Sequence, residues 1–324
     1  MNKGGSLSGP ERFGERIRPS ALVLWIFRLV RPIAYRLRTR PRLGRWALRM
    51  IPDIHWTIRV AGLGPFRIRL RRNRSWWLRD PLDSESFPFA MLRCLVRPGD
   101  VVYDAGANLG LYARFLVAAL QADQVIAFEP VAENRDLLGE NLVLGGIALR
   151  VTVLPVALAA EDGDAEFQLD DVQSASGTLS EVSGGAPCLG RRNLGLGPLT
   201  TTVACRRLDT VVTEWRLPPP DVIKVDVEGA EALLLRGAEA TLRDRSPRLL
   251  IELHGADCAR QVLQILDELG YVCAGKVSPR IDPGGYARVG PGVASQIQGL
   301  YDLHFLVATR DVAELPHPSA APKP

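Results

Sequence analysis

The sequence predicts an α/β fold built on an open, mostly parallel sheet, and three observations predict it. First, residues 101–110 run from the β-branched and aromatic stretch Val101-Val102-Tyr103 through Asp104 and a set of small residues into the apolar, helix-compatible segment that starts at Leu111. Second, another apolar run, Val125-Ile126-Ala127-Phe128, ends in the carboxylate of Glu129. It stands 25 positions after Asp104, close to the spacing at which a βαβ unit sets an acid beside a ribose. Third, two further apolar strands, at residues 221–225 and 248–252, run into clusters of titratable residues. Open α/β sheets place their ligands at the carboxyl ends of the strands, so these observations locate a site as well as a fold.

Composition narrows the classes. With 324 residues and 47% hydrophobic content, the chain can bury a substantial core. Cys94, Cys188, Cys205, Cys258 and Cys273 are scattered, odd in number and without a C-x-x-C pair. Neither a disulfide framework nor a zinc site is indicated, and a reducing, cytoplasmic compartment fits best. The net charge of +4 hides an asymmetry: residues 1–80 carry eighteen Arg and one Lys against four acids, so the body is acidic. Such a front suits an anionic membrane surface, an anionic substrate or nucleic acid, or is simply a solvated face.

Taken in order, residues 1–20 are polar and Gly-rich and read as a flexible N-terminus. Residues 21–97 read as a basic helical and β-hairpin extension. Its apolar run at 21–30 is shorter than the roughly 20 residues a bilayer span needs. Arg28, Arg31, Arg36 and Arg38 stand where a signal peptide would show its cleavage site. The run suits either an interfacial helix, with Trp25 and Phe27 in lipid, or a helix packed on the domain or on a second subunit. Trp56, Ile58 and Val60, then Phe66, Ile68 and Leu70, alternate around Gly62-Leu63-Gly64-Pro65, which predicts a hairpin. Phe87, Met91 and Leu95 follow at helical spacing, and Pro98-Gly99-Asp100 ends that helix.

In the loop after Tyr103, Gly106, Asn108 and Gly110 are the residue types that take positive φ cheaply and let the backbone approach a ligand. The spacing Asp-x-Gly-x-Asn-x-Gly departs from the G-x-G-x-x-G dinucleotide fingerprint. It resembles instead the first motif of S-adenosylmethionine-dependent methyltransferases, in which the acid and the glycine loop hold the methionine portion of the cofactor. Beyond Glu129, a helix carries Leu137, Leu138 and Leu142 with Asn134 and Asn141, the latter read as a solvated polar residue, and a strand follows at 151–156. Residues 163–169 and 200–205 alternate as strands. The 171–200 loop between them, rich in Gly, Ser and Asn, is long enough to be functional, and its Ser174 to Thr178 stretch lies within reach of cofactor or substrate. Lys224 and Asp226 leave one face of their strand, Glu252 and His254 leave one face of theirs, and Glu228 and Glu231 meet on one side of a helix start. The Gly-rich 284–299 segment reads as a mobile edge of the acceptor pocket, and 311–324, rich in Pro and Ala, as a disordered tail.

Together, Pro98-Gly99-Asp100, Tyr103 through Gly110, Ala127-Phe128-Glu129-Pro130, Leu208-Asp209, Ile223 through Glu231 and Glu252-Leu253-His254 resemble the FkbM family of methyltransferases, over residues 98–254. The resemblance implies a Rossmann-like, seven-stranded methyltransferase sheet with one antiparallel strand, formed here at 301–307, within a domain spanning 98–310. It implies S-adenosylmethionine as cofactor and O-methylation of a sugar, glycan or natural-product hydroxyl. Asp104, Gly106, Asn108, Gly110, Glu129, Asn134 and Asp226 are then the expected cofactor-binding residues.

Transfer to an alcohol oxygen requires alignment and removal of a proton. His254 is the first candidate base, because its unperturbed pKa lies nearest neutrality, and Asp226 is the alternative. Asp226, Glu228 and Glu252 are also candidates to hold a divalent cation such as Mg. Lys224 would hold the acids in place, or act as a base if desolvated, and Glu231 is assigned a structural role at the helix start. The competing classes are an NAD-type oxidoreductase, which the glycine spacing disfavours, and a non-catalytic protein of the membrane surface or of nucleic acid. No recognisable module supports specific nucleic-acid binding. The expected partners are therefore a small-molecule or glycan acceptor and, through the Arg-rich front, an anionic membrane.

Overall fold

The computed structural model describes residues 48, 50–78, 81, 85–173, 177–299 and 302–317. The expectations for residues 1–30, for Ser174-Ala175-Ser176 and for 318–324 lie outside the described residues.

Alternation around Gly62 produces an antiparallel hairpin of β1 (His55–Val60) and β2 (Gly64–Arg69), in which Phe66 and Ile68 are fully buried. Helix α1 (Ser86–Leu95) follows and buries Phe87, Phe89, Met91, Leu92 and Leu95. The chain then alternates strand and helix: β3 (Val101–Ala105), α2 (Leu111–Leu120), β4 (Gln124–Phe128), α3 (Ala132–Leu144) and β5 (Val151–Leu154). After β6 (Ala157–Leu158), β7 (Gly163–Gln168), β8 (Thr178–Leu179) and β9 (Thr200–Arg206), the alternation resumes. It continues through α4 (Leu208–Glu214), β10 (Val222–Val225), α5 (Glu231–Gly237), α6 (Glu239–Arg245), β11 (Arg248–Glu252) and α7 (Ala256–Glu268), and closes with β12 (Val272–Val277), β13 (Tyr286–Val289) and β14 (Leu303–Thr309).

The main sheet has the order β13-β12-β14-β11-β10-β3-β4-β5. Strands β11, β10, β3, β4 and β5 are mutually parallel, and their short apolar runs are buried because helices cover both faces. Strand β14 inserts antiparallel between β11 and β12, and β13 pairs antiparallel with β12. The sheet thus has eight strands with two antiparallel members, not seven with one. The difference lies in the Gly-rich 284–299 segment, part of which forms the edge strand β13 and none of which borders the cavity described below. A second sheet, β6-β9-β7-β8, arises because residues 163–168 and 200–205 pair with each other rather than with the main sheet.

One correction concerns Asn141, which is fully buried rather than solvated. Its Oδ1 accepts from the Arg67 N–H at 2.5 Å, and its Nδ2 donates to Arg67 O at 3.0 Å and to Leu109 O at 2.9 Å. It therefore ties the hairpin, the glycine loop and α3 together. The hairpin and α1 also share a continuous core with α2 and α3, in which Phe66, Phe89, Met91, Leu116 and Leu138 pack on one face of the sheet.

Candidate active site

After β3 the chain turns through Gly106 (φ 80°), Asn108 (φ 47°) and Gly110 (φ 84°). A Cβ on Gly106 would lie 1.9 Å from the carbonyl oxygen of Asp226, so this loop can press on the end of β10 only without a side chain there. The N–H groups of Gly106 and Ala107 both donate to Phe128 O at 3.0 Å, which fastens the loop to the end of β4. The next residue, Glu129, completes the join. One of its carboxylate oxygens accepts from the Asn108 N–H at 2.8 Å, and the other from the Val131 N–H at 2.9 Å and Asn134 Nδ2 at 3.2 Å. Burial raises the pKa of Glu129 against the pull of these hydrogen bonds.

Gly106, Asn108, Glu129 and Asn134 border a cavity of about 760 Å³, within the roughly 300–1,000 Å³ of small-molecule sites. Leu158, Phe167 and Leu179 line its opposite side, Asp226, Glu228 and Glu252 its end at the strand termini, and Arg69, Arg72, Asn73 and Glu85 contribute from the extension. The Asn108 Oδ1 is buried there without a hydrogen-bond partner in the protein, so the wall offers an acceptor to a ligand donor.

Several expected cofactor residues stand back from this space. Asp104 is fully buried and does not border the cavity; its Oδ1 lies 3.4 Å from Lys224 Nζ. Burial raises its pKa and Lys224 opposes the rise. Gly110 likewise serves the turn, with Leu138 packed 3.0 Å from where its Cβ would be. The reason is common to both: a residue that ends or follows a central parallel strand sits beneath the loop it starts, and only the loop backbone reaches the ligand side.

Lys224, 3% exposed, also lies 3.2 Å from Asp226 Oδ2 and 4.3 Å from the centre of the Tyr112 ring. Burial opposes its charge, but Asp226, Asp104 and Glu252 outweigh burial and hold the ammonium above its ordinary pKa. This counts against Lys224 as a desolvated base and fits the other expectation, that it holds the acids in place. Asp226 is correspondingly held below the usual carboxylate range: burial pushes it up, and Lys224 and His254 prevail.

His254 donates or accepts through Nδ1 at 2.7 Å from Glu231 Oε1, while its Nε2 lies 3.6 Å from Glu228, 3.8 Å from Asp226 and 3.9 Å from Glu252. Burial works against protonation, but the Glu231 hydrogen bond and the charges of Glu228 and Asp226 raise the ring to about 10. A ring raised in this way is a poor proton acceptor at neutral pH, and His254 does not border the cavity, although it is as exposed as the three carboxylates. Both observations count against the expectation that His254 is the base. Glu228 does border the cavity, and burial first, then Asp226, Glu252 and Glu231, push it up to about 8 against the pull of His254. It adopts a left-handed φ of 51°, unusual for a non-glycine residue, and its carbonyl accepts from Thr178 Oγ1 at 2.6 Å. The candidate cation donors also change: Asp226, Glu228 and His254, with His254 in place of Glu252, can bring one ligand atom each within 4.8 Å of one another.

Three neighbours were not among the expected site residues. Tyr112 OH donates to Glu85 at 2.5 Å, and Glu85, whose pKa burial raises, borders the cavity. His304 Nε2 lies 3.2 Å from Glu252 Oε1 across 52 residues of sequence, a pairing that depends on β14 inserting beside β11. A faint signal existed only for Glu85, which stands immediately before α1.

Comparison with known proteins identifies the family. The methyltransferase FkbM domain model matches residues 104–273. The chain is 28% identical over 195 residues to the hexuronic acid methyltransferase AglP of Haloferax volcanii, covering 60% of this chain and 72% of that protein. It is also 28% identical over 205 residues to the 31-O-demethyl-FK506 methyltransferase FkbM of Streptomyces tacrolimicus, covering 57% and 77%. Among solved structures, methyltransferase FkbM from Methylobacillus flagellatus KT aligns with a TM-score of 0.39 at 17% identity, over 65% of this chain and 43% of that one. The family match spans more than half of the chain and takes in the glycine loop, Glu129 and the clusters that end β10 and β11, so the protein belongs to the FkbM methyltransferase family and is an S-adenosylmethionine-dependent methyltransferase.

Proposed function

We propose that the protein methylates a hydroxyl oxygen of a sugar, glycan or other small oxygenated molecule. One observation carries this reading: a single cavity joins the donor loop to three carboxylates at the ends of β10 and β11. The relatives' names, a hexuronic acid methyltransferase and a 31-O-demethyl-FK506 methyltransferase, point to the same kind of acceptor. S-adenosylmethionine supplies an electrophilic methyl group when bound. Gly106, which lets the loop close on Asp226, Asn108, through its unpaired Oδ1, and Glu129, steadied by Asn134 and able to accept from ribose hydroxyls, would hold it. At the other end Glu228 takes the proton of the attacking hydroxyl, its raised proton affinity matching it to neutral pH. Asp226 and Glu252 orient that hydroxyl, with Lys224 and His254 as their counter-charges.

Calorimetry with S-adenosylmethionine and with NAD tests the donor half; only the first should bind. Incubation with methyl-labelled donor and a panel of methyl glycosides, glucuronic acid and macrolide alcohols tests the acceptor half, and transfer to none of the hydroxyl-bearing probes would refute it.

A divalent cation is the second reading, favoured by the proximity of Asp226, Glu228 and His254. These donors suit Mg poorly, because that ion prefers oxygen ligands, and an imidazole must be neutral to coordinate. The residues therefore read as a charge-compensated cluster, and methyl transfer should survive EDTA. Loss of activity on chelation, restored by Mg, would establish the ion.

Cytoplasmic placement with peripheral contact to an anionic membrane completes the proposal. Among the described residues no helix is long and apolar enough to cross a membrane. Arg67, Arg69, Arg71 and Arg72 pair with Glu140, Asp53 and Glu133, so the contact is assigned to the arginines that precede residue 50. Binding to phosphatidylglycerol vesicles should fall as salt rises. Equal partitioning at all salt concentrations would remove the membrane reading.

A further inference from the structure

We infer that Glu231 is a positioning residue of the transfer site: it fixes the His254 ring through Nδ1 and thereby aims Nε2 at Asp226, Glu228 and Glu252. The inference rests on the reading of those carboxylates as the acceptor end of the cavity.

Glu231 is fully buried at the first position of α5, and three donors from three segments converge on it. Its Oε1 accepts from the Gly229 N–H at 2.9 Å and from His254 Nδ1 at 2.7 Å, and its Oε2 accepts from the Cys258 thiol at 2.8 Å. Gly229 belongs to the tight turn after β10, His254 to the end of β11 and Cys258 to α7. A carboxylate held at both oxygens cannot swing, so its position defines that of the ring. The 2.7 Å contact fixes Nδ1 on Glu231 and faces Nε2 the other way. There it lies 3.6, 3.8 and 3.9 Å from three carboxylates, beyond hydrogen-bond length and within ion-pair range. One buried acid thus sets the place of the ring nitrogen that the cavity carboxylates surround. A helix-start role alone would not require the side chain to face His254.

The test uses the full chain labelled with ¹⁵N at histidine, of which it has four. A hydrogen-bonded Nδ1 proton, assigned to His254 by its disappearance in H254N, should be present in the wild type and lost or strongly shifted in E231Q. E231D keeps the charge but withdraws it, and should weaken the resonance without abolishing it; it carries the test if the amide variant does not fold. Rates of methyl transfer to the most active acceptor of the glycoside panel supply the second arm. E231Q should lower kcat at least tenfold, leave S-adenosylmethionine affinity within about twofold, and add nothing to H254N. An Nδ1 resonance unchanged in E231Q, or additive losses in the double variant, would overturn the inference. A full rate in H254N with the resonance behaving as expected would instead remove His254 from the transfer site, which is a failure of the functional reading rather than of the Glu231 contact.

Discussion

Gly106 shows how little freedom single residues have at this site. In Gly106→Ala the new methyl would meet a backbone oxygen at 1.9 Å, and the φ of 80° would be strained by roughly 1–2 kcal/mol even in open space. The variant should melt earlier and bind S-adenosylmethionine at least tenfold more weakly, which differential scanning fluorimetry and calorimetry will read. Glu228 makes the pH prediction. Its pKa is raised to about 8, and the base must be ionised, so kcat should climb as pH rises through about 8 and level off above it. Glu228→Gln should lower kcat by roughly 10²–10⁴-fold and remove that limb from the profile; a profile identical to the wild type would clear Glu228 of the role. Period-two spacing was enough to place Lys224 with Asp226 and Glu252 with His254. It did not reveal the contact between Glu231 and His254, because the two lie 23 residues apart and meet only through the tertiary fold.

Elements here are joined by a few buried polar residues as much as by apolar packing. Asp209, at the start of α4, accepts from the N–H groups of Ala240 and Thr241 and from Thr241 Oγ1, at 2.8–3.0 Å. It thereby caps α6 from a different helix, and Asp209→Ala should cost about 1 kcal/mol with kcat retained. Asn141→Ala strands the Arg67 N–H and two carbonyls in the interior, and each unmet group costs about 1–3 kcal/mol. Denaturant titration should therefore show a loss several times that of Asp209→Ala; equal losses would mean that water or rearrangement satisfies the stranded groups. The parallel strands, the hairpin and α1 were legible because their periodicity is local. Asn141 was misread because a polar residue among leucines says nothing about which chain segment will cover it, and β13 because its pairing depends on β12 lying alongside.

At the scale of the molecule the extension is inseparable from the catalytic sheet. Phe66, Ile68, Phe87, Phe89, Met91, Leu92 and Leu95 are buried in the same core as α2 and α3, and Glu85 and Arg72 reach the cavity. Burying each such side chain contributes about 1.5–3 kcal/mol, so losing seven removes an amount comparable to the roughly 5–15 kcal/mol that keeps a domain folded. A chain shortened to begin at Pro98, where the family resemblance starts, should show no cooperative melt by circular dichroism and no heat of S-adenosylmethionine binding. A chain shortened to begin at Met50 keeps the hairpin, α1 and Glu85, and should melt cooperatively and bind the donor with wild-type affinity. The same shorter chain has lost the eleven arginines that precede residue 50, so the membrane proposal predicts that it no longer sediments with phosphatidylglycerol vesicles at low salt. Retained sedimentation would assign the lipid contact to the folded body. Loss of donor binding in that chain would show that residues before 50 complete the cavity, and the basic front would then belong to the active site rather than to a surface beside it.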